Sequence, residues 1–546
     1  MNQYQELIRH FSGNPLVLNI VLDGYGLGSG DHTDAVYNAR TPAMDQLLAR
    51  YAHTTILTHG PYVGLPGLTD LGGSEVGHLT LGAGQILDQG PTMISKAIAD
   101  GSFVQLPNFV ELMQRAQDTS LHLLGLLSDG NVHSHIDHAL AIIEEAAREG
   151  VKRLYLHALF DGRDVGIQTA DHYVAQVEEV FGRILKEHPD YDYRIASAGG
   201  REVITMDRDQ NWNKVKKGYE LHALGKGSQV FHSALEGIEH YREQDPHLVD
   251  QDMPPYNIQN AAGDIPRMKD GDALLFFNFR ADRAVQIAQV FEDHDFTPFE
   301  FTDRPKVFFC GMSVYDEDTN LPAKMLMDTP DVPNPFGKRV LEMGIEQFRL
   351  AETQKFAHVT FFYNGGYRNP LDPKREEYSL IDSDKIDSFA QAPQMKAAEI
   401  AQQAEELLKQ QRFGFGLINF ANADMVGHTG DFKAAIQAVE AVDQALQRVL
   451  NAVEKAGGVA LITADHGNAD EMMVFNKKKK EEERSTKHSI NPVPLILFDP
   501  KSQPGSYSLK QRTPDAPLTL AQVAATNYIL MGREIPKDLA EPLFEI

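Results

Sequence analysis

The sequence predicts an α/β fold with largely parallel sheets, because apolar runs typical of strands alternate with longer amphipathic segments typical of helices. The clearest strand-like runs are residues 16–22, 121–127, 153–159, 273–279, 416–420 and 459–463. Between the last two runs, apolar residues recur at helical steps of three and four, at Val439, Val442, Leu446, Val449 and Val453. Ligands of open α/β sheets bind beyond the carboxyl ends of the strands, so the polar residues that follow these runs are the first candidates for function.

The first run is rich in aliphatic residues and ends at the turn-forming pair Asp23-Gly24. The next three runs are each followed by polar or glycine-containing segments. The last two runs lead within a few residues to Asp424 and Asp465. Gly457 and Gly458 predict the C-terminal end of the helix that joins them.

The composition is that of a globular protein of two or more domains, with 546 residues, 42% of them hydrophobic and 23% charged. The formal net charge of −26 argues against nonspecific binding of nucleic acid, which favours basic surfaces. No stretch approaches the roughly 20 apolar residues of a membrane-spanning helix. The first 14 residues also lack the apolar core of a secretory signal.

A single cysteine, Cys310, excludes an intrachain disulfide and fits a reducing compartment. We therefore expect a cytoplasmic protein that binds neither nucleic acid nor membranes. No coiled-coil pattern favours an obligate oligomer, and we expect a monomer.

A set of acidic and imidazole side chains has the composition of a metal site: Asp23, Asp424, His428, Asp465, His466 and His488. Oxygen and imidazole ligands together suit Mn²⁺, Zn²⁺ or Co²⁺, and Mg²⁺ where oxygens dominate. Asp424 and His428 are four residues apart and would share one face of a helical turn. Taken singly, an Asp-Gly pair after a strand is more often a turn, and a histidine is more often at the surface.

Ser74 lies in the glycine-rich segment Gly72-Gly-Ser-Glu-Val-Gly-His78. Glycines let the backbone approach a ligand closely and leave the serine hydroxyl exposed. A serine bound to a divalent cation can ionise near neutral pH and attack phosphorus. The alternative is a flexible loop, and the segment is not a phosphate-binding loop of the nucleotide-binding type, since no Gly-Lys-Ser or Gly-Lys-Thr occurs.

Five arginines of the central third stand beside turn glycines or strand ends: Arg163, Arg201, Arg208, Arg280 and Arg283. The planar guanidinium donates paired hydrogen bonds to carboxylate and phosphate, so the set predicts an anion site. The alternative is that each arginine pairs with a nearby acid such as Asp164, Asp207 or Asp282. Without further context, His133 and Lys355 are expected at the surface.

Two segments have the composition of linkers, namely residues 85–91 and the proline-rich residues 328–336. Residues 477–484 are four lysines followed by three glutamates and an arginine. This charge run predicts a solvated surface loop or helix.

Taken together, the motifs resemble one family, the cofactor-independent phosphoglycerate mutases, which are relatives of alkaline phosphatase. The motifs that carry the resemblance occur in the order of the family, at residues 72–78, 128–135, 161–165, 206–208, 277–283, 351–355, 422–428, 463–468 and 488–494. The match extends from about residue 16 to past residue 494. So many ordered motifs are far more specific than any one of them.

The resemblance implies an alkaline-phosphatase-like, doubly wound α/β domain with a second α/β phosphotransferase domain inserted in it. The implied boundaries are 1–86 and 331–546 for the split metal-binding domain and 87–330 for the inserted substrate domain. The arginines and the metal ligands then belong to different domains, so activity should require both.

The resemblance also implies the site residues. One divalent cation is expected on Asp424, His428 and His488, and the second on Asp23, Ser74, Asp465 and His466. Mn²⁺ is the expected metal, with Mg²⁺, Co²⁺ and Zn²⁺ as alternatives and no bisphosphoglycerate cofactor. The expected contacts of the phosphoglycerate substrate are His133, Arg163, Asp164, Arg201, Arg208, Arg280, Arg283 and Lys355.

The implied reaction converts 3-phosphoglycerate and 2-phosphoglycerate into each other through a phosphoserine at Ser74. Asp164 and Lys355 join Ser74 as expected catalytic residues, with Asp164 as the general acid and base. A metal-dependent phosphatase or a phosphopentomutase-like enzyme on the same core is the first alternative. A catalytically silent metal-binding scaffold is the alternative from another class.

Overall fold

The chain divides into two units, one formed by Met1–Gln89 together with Pro330–Ile546 and the other by Gly90–Thr329. The computed structural model describes residues 4–207, 210–316, 319, 321–327, 330, 332–367, 369–476, 481–503 and 505–545. No helix of the described ranges has both the length and the apolar character needed to cross a lipid bilayer.

Sixteen strands are numbered here in chain order within the described residues. They are β1 Val17–Leu22, β2 Ala52–Ile56, β3 Leu121–Leu126, β4 Arg153–Phe160, β5 Asp192–Gly200, β6 Val230–Phe231, β7 Tyr256–Ile258, β8 Ala273–Phe276, β9 Phe308–Gly311, β10 Glu346–Glu352, β11 Glu376–Ile381, β12 Phe413–Phe420, β13 Val459–Thr463, β14 Met473–Asn476, β15 Glu481–Arg484 and β16 Val493–Phe498.

The first unit is built on a seven-stranded sheet with the order β11-β10-β12-β1-β13-β16-β2. In this order, the first five strands, from β11 to β13, are parallel to one another. Strand β16 pairs antiparallel with β13, and β2 pairs antiparallel with β16. Leu22 pairs with Phe420 and Val21 pairs with Thr463, so the carboxyl ends of β12, β1 and β13 lie side by side.

The second unit holds another seven-stranded sheet, in the order β6-β7-β5-β4-β3-β8-β9. Its central strands are parallel, and β7 runs antiparallel to β5. Each unit has its own buried apolar core. The predicted α/β class with largely parallel sheets is confirmed.

Helices connect the strands in both units. Those of the first unit are Gln5–His10, Ala35–Asn38, Pro42–Arg50, Ser74–Ala83, Phe336–Glu342, Thr353–Ala357, Ala397–Lys409, Asn422–Gly427, Phe432–Ala456 and Gln522–Leu530, and His358–Phe362 is a π-helix. Those of the second unit are Gly90–Asp100, Pro107–Asp118, Ile136–Arg148, Ala170–Glu187, Trp212–Leu224, Ala234–Gln244 and Val285–Glu292.

The local sequence explains the elements that frame the functional residues. All six residues of β1 are buried, as expected for a central parallel strand covered on both faces. The helix Phe432–Ala456 begins where the Asp431 side chain accepts a hydrogen bond from the Ala434 amide. It ends at Gly457, whose left-handed φ of 72° is the usual conformation of a helix C-cap glycine.

Four predicted segments need correction. Phe336, the last residue of the second predicted linker, already begins the helix Phe336–Glu342. The run 273–279 forms a strand only over Ala273–Phe276. Residues 90 and 91 of the predicted linker already belong to the helix Gly90–Asp100. In the charge run, residues 477–480 lie outside the described residues, whereas Glu481–Arg484 is a strand and not the predicted loop or helix. Its backbone pairs with Met473–Asn476, which gives it a hydrogen-bonded partner.

Candidate active site

The candidate metal ligands of the first unit lie at the carboxyl ends of adjacent parallel strands. Asp23 directly follows β1, Asp465 follows β13 after one residue, and Asp424 lies on the short helix Asn422–Gly427 that follows β12. Lys355 lies on the helix Thr353–Ala357 after β10, which pairs with β12 on its far side. Four strands that are neighbours in the sheet therefore place four charged side chains at the carboxyl-terminal end of the sheet.

Gly24 makes the close approach of two of these ends possible. Its φ is 74°, and a Cβ atom at this position would lie 2.6 Å from the Cα atom of Asp424. The amide of Asp424 donates a hydrogen bond of 3.0 Å to the carbonyl of Asp23 across this contact. A side chain here would push the two carboxylates apart.

Asp424, His428 and His488 form the first ligand group. The Nε2 atoms of His428 and His488 lie 3.2 and 3.3 Å from Asp424 Oδ1 and 3.1 Å from each other. Their Nδ1 atoms face the backbone carbonyls of Thr486 and Gly72, at 2.8 and 2.6 Å. If Nδ1 carries the proton in each ring, the Nε2 lone pairs are left free to bind a cation, which is the usual arrangement of metal-binding histidines.

Asp23, Asp465 and His466 form the second ligand group, and all three are fully buried. The Ser74 hydroxyl lies within this group, 3.1 Å from Asp23 Oδ1 and 2.9 Å from His466 Nε2. Ser74 is the first residue of the helix Ser74–Ala83. Helix N-termini favour anions such as a phosphate group.

Lys355 is buried, so the surface position expected from its sequence context is wrong. Its Nζ donates hydrogen bonds to Asp23 Oδ1 at 2.8 Å, Asp424 Oδ2 at 2.6 Å and Ser74 Oγ at 2.6 Å. Burial by itself would lower the pKa of Lys355, but the carboxylates of Asp23 and Asp424 raise it. The ammonium therefore stays charged and bridges the serine to both ligand groups.

The site carries more negative charge than Lys355 balances. The carboxylates of Asp23, Asp424 and Asp465 are buried together, and burial followed by the charge of Asp465 raises the pKa of Asp23 to about 6. Asp465 Oδ2 is buried, and it lies 3.3 Å from His78 Nδ1 and 3.8 Å from His466 Nε2. Crowded carboxylates and oriented imidazoles of this kind fit divalent cations.

Three further polar residues hold the ligands, and no pattern in the sequence had selected them. The ring of His78 has Nδ1 2.9 Å from the Ser74 carbonyl and 3.3 Å from Asp465 Oδ2. Asn419 donates to Asp23 Oδ2 at 2.7 Å, and Asn468 donates to Asp424 Oδ1 at 2.8 Å. His78 and Asn468 lie within recognised motifs, but supporting polar residues have no spacing of their own that distinguishes them.

The second unit gathers its cationic residues around the carboxyl ends of β3, β4 and β5. Arg201 follows β5 and is buried, and its guanidinium donates to Asp161 Oδ1 at 2.9 Å and to Asp164 Oδ2. Asp161 also accepts hydrogen bonds from the Ser128 hydroxyl and from the amide of Asp164. Asp161 thus fixes both Arg201 and the loop that carries Asp164.

The other arginines also contact acids. Arg280 donates to Asp282 at 3.1 Å, and half of its side chain is exposed. Arg163 and Arg283 both approach Glu202 Oε1, at 3.4 and 3.0 Å. Arg208, the fifth predicted arginine, lies outside the described residues.

His133 is also buried, contrary to the surface position expected for it. Burial, and then the positive charges of Arg201, Arg280, Arg283 and Arg163, lower its pKa to about 2. Burial and four positive charges therefore oppose protonation of the His133 ring. The ring is neutral at physiological pH, so it can take part in hydrogen bonding without adding charge.

Two residues of this cluster were missed in the sequence. Lys214, on the helix Trp212–Leu224, places its Nζ 3.3 Å from Glu202 Oε2. Glu202 follows Arg201 directly in the sequence. Its carboxylate contacts three cations, those of Arg163, Lys214 and Arg283. The position of Glu202 next to Arg201 could have indicated a role for it in the sequence. Nothing in the sequence around Lys214 distinguishes it from a surface lysine.

Comparison with known proteins gives the family of the whole chain. Residues 15–534 match the model of the metalloenzyme superfamily. The chain is 40% identical over 543 residues to the 2,3-bisphosphoglycerate-independent phosphoglycerate mutase of Trypanosoma brucei brucei, with 96% of this chain and 97% of the relative covered. The chain belongs to the 2,3-bisphosphoglycerate-independent phosphoglycerate mutases.

Other members of this family match equally far. The maize enzyme of the same name is 39% identical over 538 residues, and the alignment covers 96% of this chain and 95% of the maize enzyme. The crystal structure of a phosphoglycerate mutase of Leishmania mexicana, determined at low cobalt concentration, superposes with a TM-score of 0.75 at 38% identity and covers 98% of both chains. Membership of the family, which the motifs indicated, is confirmed.

Proposed function

We propose that this chain interconverts 3-phosphoglycerate and 2-phosphoglycerate through a phosphoserine formed on Ser74. The observation that carries the proposal is the environment of the Ser74 hydroxyl, which contacts a carboxylate, an imidazole and the Lys355 ammonium at 3.1 Å or less. The names of the relatives, at about 40% identity, support the same reaction.

The ligand groups fit two divalent cations, one on Asp424, His428 and His488 and one on Asp23, Ser74, Asp465 and His466. When bound, such cations lower the pKa of a coordinated hydroxyl and neutralise phosphoryl oxygens. Mn²⁺ is our expected metal, and the mixed oxygen and nitrogen ligands leave Co²⁺, Zn²⁺ and Mg²⁺ as alternatives.

In the first half of the reaction, the Ser74 oxygen, which is an alkoxide before the substrate binds and again after the product leaves, forms a bond to phosphorus, and the bond from phosphorus to the C3 oxygen of the substrate breaks. The helix N-terminus at Ser74 and the Lys355 ammonium stabilise the negative charge of the phosphoserine. In the second half, the C2 hydroxyl of the retained glycerate takes the phosphoryl group back. The exchanged proton passes between the C2 and C3 oxygens, with Asp164 as our proposed acid and base.

The cationic residues of the second unit bind the groups of the substrate that do not react. Guanidinium groups match carboxylate and phosphate oxygens in pairs, and His133 adds a neutral imidazole. Arg201 orients the Asp164 carboxylate through a direct contact. Retention of glycerate by this set favours a mutase over the alternative phosphatase, which would release the alcohol after cleavage.

The test is an assay of the purified protein with 3-phosphoglycerate and no 2,3-bisphosphoglycerate, with and without a chelator. We expect 2-phosphoglycerate as the product, and loss of the reaction in chelator with recovery on addition of Mn²⁺. Release of inorganic phosphate in place of 2-phosphoglycerate would support the phosphatase alternative. Metal binding with no phosphoryl transfer would support the scaffold alternative. Location in the cytoplasm and a monomeric state stay predictions that fractionation and sedimentation can test.

A further inference from the structure

Glu202 has an unusual position for an acid in a site that is to bind an anion. Its carboxylate contacts Arg283 at 3.0 Å, Lys214 at 3.3 Å and Arg163 at 3.4 Å. About a quarter of the side chain is exposed, so it lies at the accessible edge of the cluster. Two of the three cations are arginines expected to bind phosphoglycerate.

Lys214 is placed to act with these arginines. Only 9% of its side chain is exposed, and its ammonium meets the same carboxylate as Arg163 and Arg283. Burial lowers the pKa of Lys214, and the carboxylates of Glu202 and Asp207 oppose this effect. An ammonium held this far from water needs a negative partner at all times.

A phosphate or carboxylate group of the substrate presents the same kind of oxygen to the same three cations. The Glu202 carboxylate already neutralises part of the positive charge of these three cations, and it repels an anionic group of the substrate that approaches them. We propose that Glu202 is a built-in competitor that occupies the anion site until the substrate displaces it, and that Lys214 is a further substrate-binding cation. This inference rests on the proposed function and names two residues that control its affinity.

The opposite interpretation is that Glu202 is a structural ion pair that holds Arg163, Arg283 and Lys214 in place. The two interpretations differ in sign. Removal of a competitor strengthens binding of the anion, whereas removal of an organising acid weakens it. An isosteric substitution that removes the charge, Glu202→Gln, separates them.

The experiment measures the Kd of 3-phosphoglycerate by calorimetry on the Mn²⁺-loaded Ser74→Ala protein, and KM in the protein that keeps Ser74. We expect Glu202→Gln to lower both constants by about 3- to 10-fold. Lys214→Met should raise both by about 10-fold, and Lys214→Arg, which keeps the charge, should restore much of the affinity. Glu144→Gln is the matched control, because Glu144 also bridges two arginines, Arg148 and Arg183, on the same unit.

A rise or no change of the Kd in Glu202→Gln, with a melting temperature equal to that of the parent, would overturn the competitor role. If Glu202→Gln unfolds, the Kd of Glu202→Ala tests the competitor role, and the Kd values of Lys214→Met and Lys214→Arg test the binding role of Lys214. An unchanged Kd in Lys214→Met would overturn the binding role of Lys214. Failure of the proposed function gives a different result. The wild type would then produce no 2-phosphoglycerate, regardless of the Kd values of the variants for 3-phosphoglycerate.

Discussion

The two units of this enzyme hold their charges in opposite ways. In the first, the carboxylates of Asp23, Asp424 and Asp465 are buried at the ends of neighbouring strands and share a single ammonium, that of Lys355. In the second, every described arginine of the cluster already touches an acid, and Arg163 and Arg280 are half exposed.

The difference indicates what each site needs from outside. The first has an excess of buried negative charge and oriented imidazoles, so added cations complete it. In the second, each described arginine already contacts an acid, so the net gain in free energy on binding an anionic ligand is smaller than the attraction of the unpaired cations would be. Four predictions, from the largest expected effect to the smallest, test this contrast.

Ser74→Ala should reduce kcat by at least about 10⁴-fold, because the hydroxyl that forms the covalent intermediate is removed. Metal content, measured by mass spectrometry of the desalted protein, should stay near two ions, since Asp23, Asp465 and His466 remain. The exposed Ser508→Ala is the control and should behave as the wild type. Substantial activity in Ser74→Ala would rule out the phosphoserine route.

Lys355→Met should lower the free energy of unfolding of the metal-free protein by about 3–5 kcal/mol, because it leaves buried carboxylates without their ammonium. With Mn²⁺ present the loss should be smaller, because the cations compensate for the missing charge. Chemical denaturation in chelator and in Mn²⁺ measures the difference. Lys409→Met removes an exposed pair with Glu406 and should leave both curves unchanged. An equal loss in both conditions would contradict the charge-excess account of this site.

Arg201→Met should lower kcat/KM by about 10²-fold, because it removes a buried guanidinium that holds Asp161 and Asp164. Arg280→Met, at a half-exposed position, should lower kcat/KM by only about 10-fold. Metal content should be unchanged in both variants, since neither residue belongs to the first unit. Loss of metal in Arg201→Met would show that the two sites do not act separately.

Acid should destabilise the second unit through its buried histidines. Burial and nearby arginines lower the pKa of His133 to about 2, and burial lowers that of His222 to about 3. Between these values and the unfolded value near 6.5, the unfolded chain binds more protons, so stability falls as the pH decreases from about 6.5.

The expected loss is about 1 kcal/mol per histidine at pH 5.5. His133→Gln should reduce the pH dependence of Tm between pH 7 and 5, and the exposed His247→Gln is its control. Metal-free protein should be used, so that release of cations does not contribute. An identical pH dependence in wild type and His133→Gln would contradict this assignment.

The sequence predicted more of the first site than of the second. Its ligands are acids and histidines within short motifs after strands, and strand ends are visible in the hydrophobic pattern. The supporting groups His78, Asn419 and Asn468 are polar residues whose role depends on contacts with residues distant in the sequence. From their local sequence alone His133 and Lys355 were expected at the surface, and only the family resemblance implied a role for them in the site. A polar side chain is buried only when partners from elsewhere in the chain compensate it.

For the second site, the possibility of arginine-acid pairs was predicted, but the actual partners were only partly foreseen. Arg201 contacts Asp164 and Arg280 contacts Asp282, as that alternative allowed. Glu202, which contacts both Arg163 and Arg283, was not among the expected acids. Long side chains reach partners on other loops, and sequence spacing does not record that reach.

By itself the sequence determined the α/β class and the types of the strongly periodic elements, through local periodicity, and the chemistry of the ligands, through the identity of the residues. Only the tertiary structure decided which strands are neighbours. Asp23 and Asn419 are 396 residues apart in the chain, yet a hydrogen bond of 2.7 Å joins them because β1 pairs with β12. Periodicity reports only which face of an element is buried, whereas strand order depends on how all the buried faces pack together.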